Sequence, residues 1–181
     1  MGDGATILGE LRLVDRGNRV ANSTTMVVPW YARRVNLCER CGSCCDGTLF
    51  ESVEIEGTAL SALARHRLPI VTTTQGVKLP LPCVKLAGTR CSIYDERPAR
   101  CRDYRCELLR GLDAGRVSEA AAEAVVAEAR RLRDAVRAAL PPGRSWWSAE
   151  AELRRRGGQP KSTTGERLVA LARLVRTRFW Q

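Results

Sequence analysis

The residues with the most chemistry to offer are eight cysteines, all lying between Cys38 and Cys106 of a 181-residue chain. The first group reads Cys38-Glu39-Arg40-Cys41-Gly42-Ser43-Cys44-Cys45, so that three sulfurs recur with two residues between them. A tight loop of this kind aims several thiolates at one centre, and a C-x2-C-x2-C run completed by a distant fourth cysteine is how bacterial ferredoxins hold an iron-sulfur cluster. Cys38 and Cys41 alone would also make half of a tetrahedral zinc site. Gly42 stands where the loop turns most sharply and relieves crowding there. Cys44 and Cys45 are adjacent, and neighbouring side chains leave an extended backbone in different directions, so one of the two is expected to serve a separate role.

The second group is Cys83, Cys91, Cys101 and Cys106, whose long gaps match no common zinc-ribbon pattern and require a site assembled by folding. Eight sulfurs make two sets of four, or one four-thiolate site with thiols to spare, and the spacing leaves both arrangements open. Arg90, Arg97, Arg100, Arg102 and Arg105 surround this group. Their charge would offset the negative charge of a thiolate centre and lower thiol pKa values. Each could equally pair with a nearby Asp95, Glu96, Asp103 or Glu107. Tyr94 and Arg97 are the candidates for gating the centre or binding an anionic cofactor or substrate. His66 is the sole histidine and reads as a surface or helix-end residue. No histidine-based nucleophile pair can be drawn, which argues against a Ser-His or Cys-His hydrolase.

The elements that must position these residues are short until the last third of the chain. Apolar alternation around residues 7–14 and 26–31 predicts one or two strands, residues 49–55 a strand, and residues 58–65 a short helix capped by Thr58 and stopped by Pro69. Residues 71–81 read as extended with a turn at Gln75-Gly76. The stretches at Cys83 and Cys91 flank Ala87-Gly88-Thr89-Arg90 as a hairpin. Pro98 opens a helix predicted to run through Cys101 toward Leu109 and end at Gly111. On such a helix the five-residue step from Cys101 turns Cys106 well away from the Cys101 face. A cysteine-free helical region follows: Ser118 caps a long helix to Leu140, residues 146–156 form a short one, and Thr163 with Glu166 makes a capping box for the last. The fold class is therefore α+β, with a small cysteine-rich, metal-centred unit over residues 1–115 and a helical region, 116–181, packed on it.

Cys38-x2-Cys41-Gly42-Ser43-Cys44-Cys45, then Pro82-Cys83, then Cys91-Ser92-Ile93-Tyr94-x2-Arg97-Pro98-x2-Cys101-Arg102, resembles the CxxCxxCC, or YkgJ-like, cysteine-cluster family. The resemblance covers about residues 36 to 107 and implies a zinc- or iron-chelating domain whose cysteines carry over to Cys38, Cys41, Cys44, Cys45, Cys83, Cys91 and Cys101. Cys106 is additional to the pattern. The favoured cofactor is an iron-sulfur cluster, with zinc as the alternative. One relative, the flagellin lysine N-methylase, joins such a cluster to S-adenosylmethionine-dependent methylation. That analogy supplies the second reading, a metal-dependent protein-modifying or redox enzyme, although this chain shows no Gly-rich strand-to-helix motif to support S-adenosylmethionine.

Composition bounds the partners and the compartment. An apolar fraction of 44% permits a core, and with aromatics at 5% that core must come chiefly from small aliphatic side chains on helices. No signal sequence and no stretch of about eighteen apolar residues is visible, so no membrane is expected. Eight clustered thiols suit a reducing cytoplasm as metal ligands better than as disulfides. A protein partner or substrate is compatible with this reading. The net charge of +10 comes mostly from arginines dispersed through Ala-rich helices, which does not call for nucleic acid. Titration with DNA or RNA should accordingly give only weak binding, and a tight complex that collapses steeply with salt would overturn that expectation.

Overall fold

The computed structural model describes residues 37–56 and 60–180; the strands expected before residue 37 and the Thr58 cap lie outside them. The chain enters through helix α1 (Leu37–Cys41), a single turn whose Leu37 and Cys41 are buried. It then makes a turn over residues 42–49 and passes into strand β1 (Ser52–Ile55) and helix α2 (Leu60–Arg65). Strands β2 (Val71–Thr73) and β3 (Gly76–Pro80) flank the expected turn and pair as a hairpin, and β3 pairs on its other side with β1, giving an antiparallel sheet in the order β1-β3-β2. Ile55 and Leu79 of this sheet, with Leu63 and Leu68, make a small apolar cluster against which Val53, Val77, Cys83 and Ile93 pack.

Strands β4 (Leu86–Ala87) and β5 (Arg90–Cys91) are the second hairpin, with Leu86 opposite Cys91 and Ala87 opposite Arg90. A short 3-10 turn at Tyr94–Glu96 follows. The single helix expected from Pro98 to Gly111 is instead two: α3 (Ala99–Asp103) and α4 (Glu107–Asp113). The break falls at Tyr104 and Cys106, both of which adopt extended backbone. It is favoured by tertiary partners: the Tyr104 ring packs edge-on against Phe50, with centroids 5.0 Å apart, and the Glu107 N–H donates to the Phe179 carbonyl at 3.1 Å. Gly111 does not end α4. It is buried inside it, where an added Cβ would come within 3.0 Å of Val117, and the helix stops two residues later.

The largest core belongs to the last three helices. In α5 (Glu119–Ala139), Ala122, Val126, Ala129, Leu132 and Val136 form a buried stripe at helical spacing, and the Ser118 hydroxyl accepts from the Ala121 N–H as an N-cap. That stripe meets Leu168, Leu171, Ala172 and Val175 of α7 (Thr163–Arg178) and Trp146 and Ala149 of α6 (Trp146–Arg155). Each large aliphatic side chain buried here contributes on the order of 1.5–3 kcal/mol. The α7 cap is Ser162, one residue earlier than the expected Thr163, because the Ser162 hydroxyl reaches the Gly165 N–H at 3.2 Å. Leu37, Cys41 and Leu49 share this core with the helices, so the first cysteine loop is built onto them directly.

Gly42 is the point where that loop meets the second hairpin. Its φ is +69°, and a Cβ there would stand 2.9 Å from the Thr89 carbonyl oxygen. Both the left-handed backbone and the close approach of two main chains exclude a side chain. Gly42→Ala should therefore destabilise the chain by more than the left-handed cost alone, about 1–2 kcal/mol, because Thr89 must also move. Urea unfolding compared with the parent chain checks this.

Candidate metal centre

Helix α1 places Cys38 and Cys41 one turn apart on the same face, and the turn that follows brings Cys44 around toward them. The loop carrying Cys44 and Cys45 is held from α5 and α6. The buried Asp46 carboxylate accepts from the Thr48 N–H at 2.8 Å and pairs with Arg133, itself largely buried. Arg137 donates to the Asp46 carbonyl, and Arg130 donates to the Cys41 carbonyl at 3.4 Å. From α6, the indole N–H groups of Trp146 and Trp147 both donate to the Gly47 carbonyl, at 3.1 and 2.9 Å. Asp46, Arg130 and Arg133 are not among the site residues expected from the sequence. The pairs lie 87 or more residues apart and leave no local pattern.

The eight thiols are all free, with no disulfide among them. They fall into two neighbourhoods. The Cys44 thiol is pushed well up, first by burial and then by the sulfurs of Cys106, Cys41, Cys38 and the adjacent Cys45. Burial also raises Cys38, with Cys41 adding to it and Arg105 and Arg97 opposing. Cys41 is raised by burial against the opposing Ser43, whose hydroxyl accepts from the Cys41 thiol at 3.2 Å. Cys106 stands at the start of α4. Burial takes it to about 11, against the Leu109 and Leu108 amides and with Cys38 and Cys41 adding. Tyr104 lies beside the same sulfurs, raised by burial and then by Cys44 and Cys106.

The other neighbourhood surrounds Cys45. Burial lifts its thiol to about 12, with the sulfurs of Cys91, Cys83 and Cys101 adding to the effect. Cys101, on α3, rises to about 11 through burial and then Cys83 and Cys91, with Arg97 opposing. Cys83 is raised by burial against the Lys85 amide. The Cys83 N–H donates to the Cys45 carbonyl at 2.7 Å, which ties the start of the second hairpin to the first loop. Among the described residues no three His, Cys, Asp or Glu side chains form a finished coordination group, so these are neighbourhoods of thiols rather than closed coordination spheres. Their donor chemistry fits zinc or iron: soft sulfur ligands, all eight free of disulfides, with cations nearby.

Of the arginines expected around the second group, Arg97 and Arg105 face thiols. Arg90 instead pairs with Glu39 at 2.6 Å and Arg102 with Asp103 at 3.5 Å. Arg97 lies over the Tyr94 ring, 3.4 Å from its centroid, and its Nε donates to the Tyr94 carbonyl at 2.6 Å. This contact fixes the guanidinium beside Cys38 and Cys101. His66 takes no place among the thiols. Its Nε2 is 3.1 Å from a Glu96 carboxylate oxygen, an ion pair when the imidazole is protonated.

Residues 37–125 match the family model CxxCxxCC, described as a "Putative zinc- or iron-chelating domain". No curated protein and no solved structure matches the chain significantly. The matched span contains all eight cysteines, both hairpins and the first turns of α5.

Every resolved thiol shift is upward from an ordinary value of 9.0, so these sulfurs hold their protons at neutral pH and a metal must displace them. Metal affinity should consequently rise with pH, about tenfold per pH unit for each proton displaced. Zinc competition against a chelator at about pH 6.5 and pH 7.5 measures the slope, and a flat profile would exclude the thiols as ligands.

Proposed function

With residues 37–125 belonging to the CxxCxxCC family, we propose that this chain is a metal-binding protein that holds an iron-sulfur cluster through clustered cysteine thiolates in the cytoplasm. The observation that carries the reading is the convergence of eight free thiols from separate segments, sulfur beside sulfur, in surroundings that desolvate them. Thiolates in that setting carry uncompensated negative charge, and a bound metal is the species that neutralises it. The C-x2-C-x2-C run of Cys38, Cys41 and Cys44 and the number of sulfurs favour iron-sulfur over zinc. A reducing compartment keeps the thiols available. Among the described residues no helix is long and apolar enough to cross a membrane.

The metal, when bound, supplies a fixed charge and, if it is iron, an electron-accepting centre; the rest is the work of this chain's residues. Arg97 and Arg105 offset thiolate charge, and Tyr94 holds Arg97 in position. The cysteine region, residues 1–115, supplies the sulfurs. The helical region, residues 116–181, supplies the rigid frame through Arg130, Arg133, Trp146 and Trp147.

Metal analysis and an absorption spectrum on anaerobically purified protein test the proposal. A brown sample with iron and acid-labile sulfide is the expected result. Colourless protein with stoichiometric zinc would replace the cluster by zinc, and folded protein free of both metals would defeat the metal-binding function.

A further inference from the structure

We infer that the chain carries two separate four-thiolate metal centres, one built from Cys38, Cys41, Cys44 and Cys106 and the other from Cys45, Cys83, Cys91 and Cys101, divided at the Cys44–Cys45 peptide. This division rests on the metal-thiolate reading above and specifies it. The first support is packing. Cys38, Cys44 and Cys106 lie against the helical core that contains Cys41, whereas Cys83 lies against the sheet-based apolar cluster around Leu63 and Leu79. The first four sulfurs thus share one apolar wall, and Cys83 stands on a different one.

The second support is the path of the chain. The Cys83 N–H to Cys45 carbonyl bond and the Leu86 to Cys91 pairing hold Cys45, Cys83 and Cys91 at one end of the short hairpin. Helix α3, which carries Cys101, packs against β1 of the three-stranded sheet. The break at Tyr104 then turns the chain so that Cys106, at the head of α4, lies against the same helical core as Cys38, Cys41 and Cys44.

Cys44 and Cys45 meet the requirement that one loop serve two centres. Adjacent Cα atoms are about 3.8 Å apart, and side chains on consecutive residues can point to opposite sides. Two-cluster ferredoxins use the same economy, with one cysteine of a run ligating the other cluster. Arg97 stands at the boundary, with Cys38 of one set and Cys101 of the other both within its field, so a single cation offsets charge in both.

The test uses the intact, reduced chain and zinc alone, under argon. Zinc is added below saturation, accessible thiols are alkylated with N-ethylmaleimide, and the chains are weighed and fragmented by mass spectrometry. Populations bearing eight, four and no adducts are expected, and in the four-adduct chains the labels should fall wholly on one quartet, with Cys106 sharing the state of Cys38, Cys41 and Cys44. Four-adduct chains with Cys106 sharing the state of Cys101, or no four-adduct population at any loading, would overturn the division while leaving metal binding intact. Eight adducts on every chain at zinc excess would defeat the metal reading itself, and the division with it.

Discussion

The buried pairing of Asp46 with Arg133 is the interaction on which the rest of the cysteine region depends. It fastens the residue next to Cys45 to the middle of the longest helix, and the same carboxylate holds the turn closed through Thr48. A buried ion pair gains little over a well-packed apolar contact. Removing one partner, however, strands the other without water, and the geometry is therefore exacting. What this pair contributes is position. With Arg130 and Arg137 on main-chain carbonyls of the same loop, it sets the turn that carries Cys44 and Cys45.

Electrostatics sets the second constraint. Gathering thiols away from water makes the protonated form favourable, and proximity to other sulfurs strengthens that preference. A chain that needs thiolates must answer with cations or with a metal. Here Arg97, Arg105 and Lys85 reduce the cost without abolishing it, because burial is the leading cause of the upward shift at every thiol for which a shift is resolved. Burial thereby favours the protonated form at each of these thiols.

Among the described residues, most aromatic side chains lie where the cysteine region meets the helices. Trp147 stacks on Trp180 at 5.4 Å, Trp180 lies over Phe50, and Phe50 meets Tyr104 beside the first set of sulfurs. Phe179 is buried in the helical core, and its carbonyl receives the first amide of α4. The end of the last helix thus supports the segment that carries Cys106.

Much of this was legible in the residue order. The metal-binding character follows from thiol spacing alone, because C-x2-C geometry is local. The hairpins at residues 71–80 and 86–91 and helix α5 follow from short-range patterning, with a Ser118 cap that needs only its own first turn. What residue order could not decide is how the sulfurs group. The helix expected through Cys101 and Cys106 has adequate local propensity, yet it breaks because Tyr104 and Glu107 gain partners, Phe50 and Phe179, that are distant in sequence. Likewise, the adjacency of Cys44 and Cys45 already points them to different roles, but the groups that hold their turn reside on helices α5 and α6, far away in sequence. Local spacing determines which atoms can bind a metal, whereas contacts across the chain decide which of them stand together, because sulfur neighbourhoods depend on packing that no sequence interval encodes.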